Sequence, residues 1–129
     1  MNKIIVEVSI GELLDKISIL EIKQGKIKDP EKLKFINNEH SILKDQFEKN
    51  VESDDRLNTL FQSLKEINSK LWVIEDDKRQ CEKDKNFGEK FIRLSRDVHF
   101  LNDDRAKIKL EINNHTGSSI KEIKEYTNY

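Results

Sequence analysis

An all-α fold is predicted: an antiparallel bundle of about four long helices, with a short N-terminal strand and a short C-terminal helix. Three observations carry it. The 129 residues include only four glycines and one proline, so the elements run long without breaks. Lys, Glu, Ile and Leu recur at helical spacing. Capping residues cluster wherever the apolar period restarts. The length suits one domain, residues 1–129, with a modest core.

Ile4 to Val8 is β-branched and short, and predicts an extended strand. A lone strand needs a partner, either the chain's own tail or the same strand of a second protomer. Ser9-Ile10-Gly11-Glu12 has the form of a capping box. A first helix is therefore expected from Ile10 to about Ile27, with Ile10, Leu13, Leu14, Ile17 and Leu20 as its apolar stripe. Asp29-Pro30 opens a second helix carrying Leu33, Ile36, His40, Leu43 and Phe47. Ser53-Asp54-Asp55 restarts the pattern for a third, with Leu57, Leu60, Leu64, Ile67, Leu71 and Ile74, running to about Lys83. Asn86-Phe87-Gly88-Glu89 reads as a second capping box. The fourth helix that follows shows Phe91, Leu94, Val98, Leu101, Arg105, Ile108 and Ile112, and Asn113 to Gly117 closes it. Ser119-Ile120-Lys121-Glu122 is expected to cap a last short helix through Ile123 and Tyr126. Short links make successive helices antiparallel, and alternating three-four spacing favours bundle packing.

Charge narrows the function. The 24 basic and 25 acidic residues leave a net charge of −1, which gives no broad pull toward nucleic acid or an anionic membrane. No nucleic-acid or membrane partner is expected. Cys81 is the only cysteine, so neither an internal disulfide nor a multi-cysteine zinc site is available, and a cytoplasmic setting is expected. Phe35, Phe61, Trp72 and Phe100 lie off the apolar seams. They offer a second apolar face, and a homodimer or another protein partner is expected to cover it.

Polar residues on the seams supply the candidate site. Glu21 stands one turn after Ile17, His40 replaces an aliphatic, Asn68 and Glu75 flank the third seam, and Arg105 occupies the fourth with Asn102 beside it. One reading is a buried Glu75–Arg105 pair that fixes helix register, with Asn102 taking the remaining donors and no cofactor. The other is a ligand site of Glu21, Trp72, Glu75, Asn102 and Arg105. There the two carboxylates hold a divalent cation such as Mg2+, Asn102 and Arg105 take a carboxylate or phosphate, and Trp72 stacks. Glu12 and Asp15 fall off the apolar stripe and are expected to face solvent. Glu75-Asp76-Asp77 cannot share one ion, because successive helical residues point about 100° apart. His40, His99 and His115 are not spaced as zinc ligands, and the isolated glycines form no phosphate loop.

The segments "VSIGELLDKISILEIK", "LWVIEDDKR", "FGEKFIRLSRDVHFLNDDRAKIKLEIN" and "GSSIKEIKEYTNY" resemble a family of short bacterial and phage-associated proteins that carries only a domain-of-unknown-function label. The likeness spans nearly the whole chain except about 34–64. It marks Gly11, Glu12, Asp15, Lys16, Leu20, Glu21, Trp72, Glu75, Asp76, Asn102, Arg105 and Asn113 as matching the family's pattern. It implies no activity, although members tend to lie near genes for surface-sugar transfer. Glu12-Leu13-Leu14-Asp15 is also similar to half of the metal motif of all-α nucleoside triphosphate pyrophosphohydrolases, but no acidic residue stands three after Glu75 to begin the other half. Short helical chorismate mutases start similarly, yet no arginine lies on the first helix here. The resulting expectation is a bundle protein that works by association with itself or a partner. The alternative is a small-molecule or nucleotide-processing enzyme built on the polar layer.

Overall fold

Four helices account for the regular structure of the computed structural model, which describes residues 2–129: α1 (Ile10–Lys26), α2 (Pro30–Asn50), α3 (Asp55–Lys83) and α4 (Glu89–Thr116). Three begin as the sequence indicates. The Ser9 hydroxyl accepts from the Glu12 N–H at 3.0 Å, Asp29 Oδ1 from the Glu31 N–H at 3.1 Å, and Asp54 Oδ1 from the Leu57 N–H at 2.7 Å. Each satisfies an N–H that the first helical turn leaves without a partner. The start of α4 differs from the expected capping box. Its N-cap is Gly88, which has no side chain to accept, and Asn86 Oδ1 instead takes the Gly88 N–H at 3.2 Å. At the other end Gly117 adopts φ +69°, the left-handed turn that favours glycine and stops the helix.

α1 is the central element. It packs on α2, α3 and α4, while α3 and α4 form an antiparallel hairpin beside it. α2 approaches no helix backbone but that of α1, so the four helices do not close into a ring. Leu14 and Ile17 of α1, Phe47 of α2, Leu57, Leu60 and Leu64 of α3 and Ile112 of α4 make the core. Burying each such side chain contributes about 1.5–3 kcal/mol. The tip of the hairpin buries Cys81 and Leu94 outside that cluster.

Both terminal expectations need correction. Ile4 to Val8 is not a strand, and Ile4 and Ile5 are 90% and 84% exposed. An isolated extended segment leaves its backbone groups to water, and no described segment pairs with it. Residues 118–129 form no helix. So short a helix is marginal unless packed, and these residues are tied to α1 and α4 by their side chains instead. The Ser118 hydroxyl accepts from the Ile10 N–H at 3.2 Å, and the Tyr129 ring packs edge-to-face with His99 and Phe100. Among the described residues no helix is long and apolar enough to cross a membrane.

Candidate functional site

Gly11 sets the distance between α1 and α4. A Cβ there would fall 2.6 Å from the Lys109 carbonyl oxygen and 2.9 Å from Asn113 Oδ1. Without one, the backbones approach closely, and Asn113 Oδ1 accepts the Gly11 N–H at 2.7 Å. From this contact a polar stripe runs down α1 through Gly11, Asp15 and Ser18, and each of these residues is buried.

Asp15 is the hub. The residue is 1% exposed, and its carboxylate receives a two-pronged bond from Arg105, Nε to Oδ1 at 3.0 Å and Nη2 to Oδ2. The Asn68 Nδ2 donates to the same Oδ1 at 2.8 Å, and Lys109 Nζ stands 3.7 Å from Oδ2. Burial pushes the Asp15 carboxyl up. The bonds from Arg105 and Asn68 and the charges of Arg105 and Lys109 outweigh it and hold the group below the ordinary aspartate value. Arg105 is raised in turn, first by its bond to Asp15.

Lys109 is the second cation of the cluster, and its Nζ reaches Glu12 at 2.6 Å and Glu122 of the tail at 3.0 Å. Burial lowers Lys109, but the two carboxylate bonds win and the ammonium is held charged beyond its usual range. The bond from Lys109 depresses Glu122 correspondingly. No buried side-chain nitrogen or oxygen lacks a hydrogen-bond partner among the described residues. A fully satisfied buried network rigidifies its surroundings.

The structure separates the residues expected to act together. Arg105 pairs with Asp15 and not with Glu75, which is exposed and makes no ion pair among the described residues. Asn102 Oδ1 accepts from Arg105 Nη1, at a long 3.5 Å. Glu21 belongs to a different cluster, 3.0 Å from both His40 Nε2 and Lys65 Nζ. Those bonds overcome the effect of burial and lower its pKa. Among the described residues no group of three or more His, Cys, Asp or Glu is placed to hold a metal ion. Asp15, expected at the solvent side, is among the most buried residues, because α1 has neighbours on more than its apolar face. Lys109 escaped the sequence reading, as did the stripe Gly11-Asp15-Ser18-Ile22, whose four-three-four spacing was a usable signal.

Trp72, Glu75 and Arg105 do meet. With Ile19, Ile22, Asn68, Leu71, Asp76 and Arg79 they line a groove of about 370 Å3 between α1 and the hairpin. Its floor is rigid on one side, since Asp15 holds both Arg105 and Asn68 from behind. Asn102 lies outside it, toward the C-terminal tail.

Residues 4–129 match the family model described as a family of unknown function (DUF6165). No match was found among curated proteins, and none among solved structures. The match takes in both helices that hold the Asp15–Arg105 pair and the tail that reaches Lys109, so the chain belongs to the family of unknown function DUF6165.

Proposed function

We propose that the protein works by association, and that its first partner is a second copy of itself. The observation that carries this is the uncovered outer face of the α3–α4 hairpin. There Val73, Ile74, Phe100 and Leu101 line an apolar groove of about 660 Å3, and Val73 and Phe100 are 48% and 38% exposed. Contiguous exposed apolar surface with a polar rim marks interaction sites. The rim carries both signs, Glu66 and Lys70 on α3 and Asp97 on α4. An isologous contact pairs residue i with j and j with i. In the arrangement proposed, a copy turned about a twofold axis sets Lys70 against Asp97 twice over, while the apolar residues cover each other. The off-seam residue Phe100 fits this face; Phe61, by contrast, is half-buried and packs on the core.

Light scattering tests the reading. At tens of micromolar the wild type should have twice the 15.3 kDa chain mass. Phe100→Glu should return it to a monomer, because a charge buried at the contact strands itself without a partner. Lys70→Asp alone should weaken the dimer, and Lys70→Asp with Asp97→Lys should restore it. A wild type that stays monomeric at that concentration overturns the proposal.

A further inference from the structure

We infer that the tail side of α4 holds a binding site for a small oxyanion, the phosphate or carboxylate group of a ligand, and that the tail's own Glu122 competes for it. A cavity of about 20 Å3 lies there, with Asn102, Arg105 and Lys109 of α4 and Lys124 of the tail as its polar walls. One water-sized group needs about 10–15 Å3. Each of the four residues keeps a hydrogen to give. Nε and Nη2 of Arg105 are turned to Asp15, whereas Nη1 is directed at Asn102 with only a 3.5 Å contact. Asn102 Oδ1 accepts that contact, so its Nδ2 hydrogens remain, and no described residue takes them. Lys109 Nζ has three hydrogens, of which Glu12 and Glu122 take two. Asp15, 3.7 Å away, is too far for the third. Lys124 Nζ meets only Glu122, at 3.4 Å. A wall of spare donors, whose one side-chain acceptor is already engaged, selects a group that only accepts, and an oxyanion is such a group.

Charge leads to the same ligand. Three cations line the cavity. Asp15 and Glu12, both fixed on α1, balance Arg105 and Lys109. The third carboxylate is Glu122, which spans Lys109 and Lys124 from an irregular segment and keeps 44% of its side chain exposed. It is the replaceable one of the three. An incoming oxyanion shares the two lysines with it or displaces it. The Lys109 side chain is only 9% exposed, and a cation so far out of water attracts an anion more strongly than one on the surface. The rest of the ligand has room beside the small cavity. A wider one of about 600 Å3 shares Asn102 and Lys124 as walls and is flanked by the rings of His99, Tyr126 and Tyr129. No residue of the small cavity lines the groove proposed for the dimer contact, so the inference does not rest on that reading.

An NMR titration of the isotope-labelled chain tests it. Inorganic phosphate and acetate are the two probes, and sodium chloride controls for general screening. The side-chain signals of Asn102 Nδ2 and Arg105 Nε should shift saturably in the millimolar range with at least one probe, and the tighter of the two names the group. Lys124→Gln takes a cation from the cavity wall and should weaken binding several-fold. Glu122→Gln removes the competitor and should tighten binding several-fold, a gain that screening of charge cannot produce. Both positions are exposed and on the tail, away from the helical core, and well-dispersed amide signals show that each variant is folded. Shifts that fail to saturate with both probes, equal shifts with chloride alone, or a folded Glu122→Gln variant that binds no tighter than the wild type would each overturn the inference.

Discussion

Asp15 shows how far one residue's role depends on what stands behind it. A carboxylate this deep is tolerated only because Arg105, Asn68 and Lys109 converge on it. Removing it strands the Arg105 guanidinium, whose ion pair is with Asp15, while Lys109 keeps Glu12 and Glu122. Asp15→Ala should cost about 3–5 kcal/mol in urea unfolding, whereas Glu75→Ala, an exposed side chain with no ion pair, should stay within about 0.5 kcal/mol. The pH dependence follows from the sign of the shift. The folded-state pKa of Asp15 lies below its ordinary value, so the group's stabilisation is complete above about pH 3.9 and is lost as pH falls through the folded value. Asp15→Asn should therefore flatten the acid limb of the stability curve. The residue was hard to read in advance for a physical reason. Apolar periodicity identifies one buried face of a helix, but a helix with three neighbours buries more than one, and the second can be polar if every group finds a partner.

At the level of elements, the helices were legible and the ends were not. Capping chemistry is local: Ser9, Asp29 and Asp54 accept from N–H groups two or three residues away, and a short stretch of sequence contains all the parts. The extended propensity of Ile4 to Val8 is equally visible, yet a strand is a property of two segments, and the second is not supplied. Two glycines of α1 make a sharper test of what sequence hides. Gly11 and Gly25 look alike on paper. An added methyl at Gly11 meets the backbone of α4, so Gly11→Ala should destabilise by about 1–3 kcal/mol through overpacking. At Gly25 nothing lies within 4 Å, and Gly25→Ala should stabilise by up to about 1 kcal/mol through helix propensity. Thermal unfolding of the pair should move the midpoint in opposite directions.

The whole molecule is an open bundle and not a closed one. A polar layer shared by a closed bundle would need each helix backbone to lie beside two others, but the backbone of α2 lies beside that of α1 alone, and the layer draws on α1, α3 and α4. Glu21 accordingly bridges His40 of α2 and Lys65 of α3, while Asp15 pairs with Arg105 of α4. The candidate residues on the hairpin were visible as departures from an apolar seam; their true partners were not, because pairing across helices depends on packing order, which periodicity does not encode.

The buried thiol at the tip of the hairpin has a kinetic meaning. Cys81 is 3% exposed and sits apart from the main core cluster, beside a short turn and the first residues of α4. Elements with few shared contacts open at lower free energy than the molecule as a whole. The thiol is therefore a clock for that opening. A thiol reagent should modify it in urea too dilute to reduce the far-ultraviolet helical signal, and raising protein concentration should slow the reaction to the extent that a second copy clamps the hairpin shut.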